Sequence, residues 1–333
     1  MAILAQPLTW LNLLLMVIFA AILLVILLVF VMYALYGERK VLGWIQVRNG
    51  PNRVGPGGLL QSVADVFKLL IKEDIVPRNV DRFLFYLAPI IAFTPAFAVL
   101  AIIPFSENLF FANSNVGLLY YGALSSLTIT GILLAGWSSN NKYAIMGGMR
   151  SVAQMVSYEV PIILSFLGIA LMAGSLNLID IVNAQKAAGM WNIFPQILGF
   201  IVFVIAANAE LNRTPFDLPE AENELVAGYF VEYSGFRWAF FMLTEYSYIF
   251  ALSALMTVIY LGGWSAPFGL TFIPGIVWFI VKFLILVFYL FWVRATFPRV
   301  RIDHLMGFAW KVLIPLALLN VVVTATLKLF GII

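Results

Sequence analysis

The chain has 333 residues, 63% of them hydrophobic and 11% charged, against about 45–50% and 25% in soluble domains, which excludes a water-soluble fold. It has no cysteine and a single histidine, His304, so it can neither bind an iron–sulfur cluster through thiolates nor hold a haem between two histidines. The net charge of +3 comes from basic residues scattered among short loops, without a zinc spacing or an aromatic reading surface, and nucleic acid is set aside as a partner.

Backbone in hydrocarbon must satisfy its own hydrogen bonds, and apolar runs of membrane length select helices over a closed barrel. The expected class is all-α, a polytopic membrane protein of about eight transmembrane helices. Taken in chain order, the spans fall near 10–36, 83–104, 117–137, 152–173, 191–209, 238–262, 272–293 and 308–330. Together they make a single membrane domain over 1–333, with loops at 37–82, 138–151, 210–237 and 294–307. The first 36 residues carry no Lys or Arg, so the first apolar stretch lacks the positive start of a secretory signal and reads as a retained span. Eight spans put both termini on one side. Fifteen of the 19 Lys and Arg residues lie in those four loops, whereas the opposite loops and ends hold only Lys186 and Lys328. The positive-inside rule then makes the four loops cytoplasmic and both termini external.

The first inner loop opens with a turn-rich stretch from Asn49 to Gly58, in which no Lys-Ser/Thr follows the glycines as a phosphate loop requires. Beyond it Leu59, Leu60, Val63, Val66, Phe67, Leu70 and Ile71 recur at helical spacing opposite Gln61, Asp65, Lys68 and Lys72. That pattern predicts an amphipathic helix lying along the membrane surface. Just before it, Glu38, Arg39 and Trp44 put charge and an indole at the membrane boundary. They read either as an interfacial anchor or as the mouth of a site for a lipid-soluble ligand.

The third inner loop carries Glu210, Asp217, Glu220, Glu222 and Glu224, offset only by Arg213, and Glu232 follows. Packed together, such carboxylates cannot ionise independently, and coupled titrations suit a proton relay. The alternative is local: Asp217 caps a helix, Glu220 closes a capping box, and the remaining acids line a first turn. Glu159 and Glu245 each lie about seven residues inside a span, roughly 10 Å deep, where a carboxylate marks a functional site by default. Lys282, near the middle of the seventh span, is too deep to reach the interface easily and is expected to pair with an acid, Glu159 or Glu245. Pairing and proton relay are compatible.

The segments Gly37-Glu-Arg-Lys40, Gly50-Pro-Asn-Arg-Val-Gly55, Ala135-Gly-Trp-Ser-Ser-Asn-Asn-Lys-Tyr143, Ser157-Tyr-Glu-Val160, Pro215-Phe-Asp-Leu-Pro-Glu220, Glu232-Tyr-Ser-Gly235 and Phe297-Pro-Arg-Val-Arg-Ile-Asp303 run in order through nearly the whole chain. In them the chain resembles the family of quinone-site membrane subunits of bacterial proton-translocating NADH:quinone oxidoreductase, respiratory complex I, whose mitochondrial equivalent is NADH dehydrogenase subunit 1. The resemblance implies a bacterial plasma-membrane protein that joins the hydrophilic and membrane arms. It implies quinone as substrate and no permanently bound cofactor or metal in this chain, FMN and iron–sulfur clusters belonging to partners. Those partners would be the iron–sulfur and quinone-site subunits of the hydrophilic arm and small and antiporter-like membrane subunits, with lipid around them. Carried to matching positions, it places Glu38, Arg39, Trp44, Val63, Asp65, Phe67, Arg294 and Arg299 along the quinone passage. Glu159, Glu210, Asp217, Glu220, Glu222, Glu224, Glu232, Glu245 and Lys282 would then form the proton pathway, an acidic funnel that couples quinone reduction to proton translocation. Two other readings stay open, the related membrane subunit of an energy-converting hydrogenase and a stand-alone secondary transporter.

Overall fold

The computed structural model describes residues 9–219, 222–267 and 272–331, without the side chains of residues 222 and 223. Among the described residues all regular structure is helical. Seven helical segments are long and apolar enough to cross a membrane: α1 (Trp10–Ile45), α3 (Arg82–Val99, tightening to a last turn at Leu100–Ile102), α4 (Gly117–Ser138), α5 (Lys142–Ala173), α9 (Gly235–Tyr260), α10 (Gly275–Thr296) and a composite last span. That span joins α11 (Ile302–Phe308) to α12 (Ile314–Leu329) through a π-helical turn at Ala309–Leu313. The wider turn precedes Pro315, which has no N–H to continue the regular ladder. Between the spans lie α2 (Gln61–Ile71), α6 (Leu178–Ala188), α7 (Ile197–Glu210) and α8 (Glu222–Leu225).

The expected spans recur with three corrections. Helix α1 runs 36 residues, about 54 Å, against a hydrocarbon thickness of about 30 Å. Glu38, Arg39 and Trp44 therefore ride on its C-terminal extension and not in a loop. Apolarity fades at Tyr36 but helix-forming residues continue, and the helix stops only where Val47 turns to φ +54° before Asn49-Gly-Pro. Helix α5 likewise starts ten residues earlier than hydropathy suggests, at Lys142, capped by Asn141, whose side chain accepts from the Tyr143 N–H at 2.9 Å. The loop expected over 138–151 is thus a short turn, and the one over 294–307 shrinks because α11 begins at Ile302.

The expected fifth span is the short one. Helix α7 has 14 residues, about 21 Å, too few to cross alone. Its lead-in is irregular backbone held by buried amides: Asn192 Nδ2 donates to the Ile259 carbonyl at 2.9 Å, and Gln196 Nε2 to Thr324 Oγ1 at 2.6 Å. Non-helical chain at such depth is tolerated only when protein satisfies it, as here. Helix α6 was not anticipated; its 11 residues carry no membrane-length apolar run.

Helix α9 is the hub, buried almost all round and packed against α1, α3 and α10. Helix α5 packs against α4, α7 and the last span. Small residues set the closest approaches: a Cβ on Gly131 of α4 would lie 2.5 Å from the Ala92 nitrogen of α3, and one on Gly136 would lie 2.8 Å from the Ala144 carbonyl oxygen of α5. Helix α2 is amphipathic as expected. It leans on α1 and α9, while Phe67, Leu70 and Ile71 stay open to the surroundings.

Candidate functional site

Where α1, α9 and α10 pack together, a set of charges gathers around two buried groups. Glu38 is 2% exposed and Arg213 4%, a depth at which an unpaired charge would not survive. Glu38 Oε2 accepts from Arg213 Nη1 at 2.8 Å and from Tyr246 Oη at 2.6 Å, and its Oε1 accepts from Arg294. Arg213 also donates through Nε to Glu245. Its guanidinium lies 4.5 Å from the centre of the Tyr246 ring, adding a cation–π contact. Two carboxylates and two guanidiniums balance, and the planar guanidinium of Arg213 can serve two acids at once. Burial works against the charge on Arg213, but Glu245 and Glu38 outweigh it and hold the group firmly protonated. Its Nη2 is buried with no partner among the described residues.

The loop that carries Arg213 is folded inward. Gln154 Nε2 of α5 donates to the carbonyls of Ala209 and Phe216, both at 2.8 Å, and Asn212 Nδ2 donates to Ser151 Oγ at 3.1 Å. The Val300 N–H caps the Pro215 carbonyl at 2.9 Å. The carbonyls of Ala209, Pro215 and Phe216 in this buried loop are thereby satisfied. Asp217 does not cap a helix, contrary to the local reading. It accepts from Arg299 Nη2 at 3.1 Å, and its other oxygen is buried without a partner among the described residues. Burial raises the Asp217 pKa above its usual 3.8, and the Arg299 charge only partly opposes this.

A second set lies on α4, α5 and α7. Glu210 accepts from Tyr121 Oη at 2.9 Å, and Glu159 from Ser125 Oγ at 2.9 Å and Ser126 Oγ at 2.6 Å. Tyr121 and Ser125 are one turn apart on α4, so one helix face serves both acids. The two sets meet at a cavity of about 30 Å³ lined by Glu210, Asn212, Thr244, Glu245 and Tyr248. That is room for a water molecule, with enough polar partners to hold one. Tyr248 Oη is tied to Thr128 Oγ1 at 2.7 Å on the same wall.

The other expected residues are more peripheral. Glu224 pairs with Arg150 at 2.5 Å on the surface, and Glu232 accepts from Asn141 Nδ2 at 2.6 Å. The side chains of Glu220 and Glu222 lie outside the described residues. Arg39 Nη1 bonds Asp65 Oδ2 at 2.6 Å, with Gln61 Nε2 on the other oxygen at 2.9 Å. Partial burial would raise the Asp65 pKa, but these hydrogen bonds win and lower it. Val63 is half-buried, while Trp44 and Phe67 stand exposed. Among the described residues Lys282 pairs with no carboxylate: its ammonium donates to three backbone carbonyls, while Glu245 bonds Arg213 and Glu159 bonds serines. Among the described residues no group of His, Asp or Glu could hold a metal ion.

Sequence reasoning missed Tyr121, Tyr246 and Tyr248 and treated Arg213 as a mere offset. The available signal was that a tyrosine in mid-span needs a partner for its hydroxyl.

Fold and site together define a polytopic helical membrane protein with an ionisable network buried between its spans. A family profile described as NADH dehydrogenase matches residues 18–325. The H-type subunit of NADH-quinone oxidoreductase from Brevibacillus brevis is 60% identical over 324 residues, 97% of this chain and 96% of that protein. The same subunits of Geobacillus kaustophilus and Bacillus thuringiensis are 60% and 58% identical, each match covering 96% or more of both chains. The chain belongs to the NADH dehydrogenase family, as the H-type membrane subunit of NADH-quinone oxidoreductase.

Proposed function

We propose that the chain forms the quinone passage of this oxidoreductase and couples quinone reduction to proton translocation through its buried charges. One observation carries the reading: Glu38 joins a half-open arginine, Arg294, to Arg213, which holds Glu245 at the cavity shared with Glu210. A quinone head entering along Trp44, Val63, Phe67 and the Arg39–Asp65 pair would come under the charges of Arg294 and Arg299. Reduction of the quinone adds negative charge and draws protons. A proton arriving on Glu38 would remove one of the two anions that hold Arg213, and the balance at Glu245 would shift. From there the cavity leads to Glu210 and, through the Tyr121 and Ser125 face of α4, to Glu159. Asp217, Glu220, Glu222, Glu224 and Glu232 extend the acids toward the cytoplasm, Glu220 and Glu222 by sequence alone. Function then requires the partner subunits that carry the redox centres, in a bacterial plasma membrane, with this chain as one membrane domain and both termini outside.

The test uses the intact complex in proteoliposomes with a soluble quinone. Glu210→Gln keeps an acceptor for Tyr121 but cannot titrate. It is expected to leave assembly intact and to lower the protons moved per electron by more than half. Parent-level stoichiometry in that variant removes Glu210 from the pathway.

A further inference from the structure

Lys282 stands apart from the acids. It lies seven residues into α10 and twelve before Arg294, about 18 Å further along the helix axis. Its ammonium donates to the carbonyls of Leu261 at 2.7 Å, Gly263 at 3.0 Å and Ser265 at 2.7 Å. It also sits 4.5 Å from the centre of the Trp191 ring. The three oxygens belong to the turn that ends α9, where a helix leaves carbonyls unpaired and little water can reach them. The carbonyls just before are already served: Val258 by Gln185 Nε2 at 3.0 Å, Ile259 by Asn192 Nδ2 at 2.9 Å, and Tyr260 by the Ile193 N–H at 3.1 Å. Within the turn the Ser265 N–H serves Gly262 at 2.8 Å, and Lys282 offers one ammonium hydrogen to each of Leu261, Gly263 and Ser265.

The turn can converge its oxygens because Gly262 and Gly263 take φ +71° and +53°, the left-handed region. A Cβ on Gly262 would also lie 2.4 Å from Ser265 Oγ, so a side chain there is blocked by space as well as by backbone. Three carbonyl oxygens and an indole face form a donor set for a monovalent cation with N–H groups.

We propose that the turn at 261–265 is a cation cage of the primary-ammonium class, with the Lys282 head as its tethered occupant. Lys282 is then a positioning residue, a fixed charge that locks the end of α9 to α10, and it does not pass protons among the acids. The inference is independent of the quinone reading, since it concerns a separate end of the bundle.

The test is chemical rescue in the intact complex. Lys282→Ala removes three carbons and the nitrogen, the size of propylammonium. The variant is expected to lose roughly 5 °C or more from its midpoint of heat inactivation. Propylammonium should restore at least half of that loss, and tetramethylammonium, which has no N–H, none. Lys282→Met should keep the parent's protons per electron. Unchanged heat stability in Lys282→Ala, no rescue by propylammonium, or equal rescue by tetramethylammonium overturns the proposal, as does a lowered proton ratio in Lys282→Met. If Lys282→Ala does not assemble, growth of the cells with propylammonium should restore assembly, and failure to do so counts against the cage.

Discussion

Arg213 is itself buried and is shared by two carboxylates, so its removal leaves the buried Glu38 and the largely covered Glu245 with half their compensation gone. Breaking a buried pair from one side costs about 3–5 kcal/mol. Arg213→Met is therefore expected to abolish or sharply reduce assembly, judged by the amount of intact complex on a native gel. Arg213→Lys keeps the charge but not the fork, since an ammonium reaches two acids in different directions poorly. It should assemble at reduced yield and lose quinone reductase activity at least tenfold. Asp217 gives a pH prediction. Its folded pKa lies above 3.8, so the folded chain binds that proton more tightly than the unfolded chain does. Its contribution to stability is full at low pH and declines as pH rises from 3.8 through the raised folded value. Asp217→Asn should flatten that part of the curve of heat-inactivation midpoint against pH relative to the parent. Parallel curves would mean that Asp217 titrates normally.

At the scale of elements, α2 combines an open apolar flank with an exposed ion pair, Arg39–Asp65, whose net worth is roughly 0.2–1 kcal/mol. Loss of the pair should thus leave the fold alone and act on whatever moves along the flank. Asp65→Ala is expected to raise the apparent KM for quinone severalfold and leave the KM for the electron donor unchanged, measured with a water-soluble quinone analogue. Equal shifts in both would favour an anchoring role for α2. The periodicity of α2 was plain in the sequence because its polar and apolar residues alternate at 3.6. The C-terminal extension of α1 and the early start of α5 were not, because hydropathy reports where lipid contact stops and a helix can run on past that point. The short α7 was hidden for the opposite reason. Residues 191–196 are apolar enough to extend a span, but the side chains of Asn192 and Gln196 hold them in turns through partners on α9 and α12 that no local pattern reveals.

For the whole molecule, Glu38, Glu159, Glu210 and Glu245 could all be picked out by motif or span position, but only Glu159 and Glu245 fall inside expected spans, whereas Glu38 and Glu210 fall in expected loops and are found buried on α1 and at the end of α7. Their partners could not, because Arg213, Tyr121, Ser125 and Tyr246 are brought to them from 32 to 208 residues away in the chain. Lys282 illustrates the limit: a deep lysine suggests a deep acid, but backbone carbonyls met the need first. The expected sidedness rests on charge asymmetry alone, and it is testable because the chain has no native cysteine. In intact cells a membrane-impermeant maleimide should label this protein at Lys186→Cys and not at Arg53→Cys, with the reverse result in inside-out vesicles. Labelling of both from one side would overturn the threading.

The glycine contacts of α4 have a mechanical consequence. With Gly131 pressed on the α3 backbone and Gly136 on that of α5, there is no slack for α4 to slide or roll without steric collision. These three helices make a stiff frame, and Tyr121, Ser125 and Ser126 are fixed posts on it. Glu210 and Glu159 therefore meet hydroxyl partners whose positions the helix packing fixes.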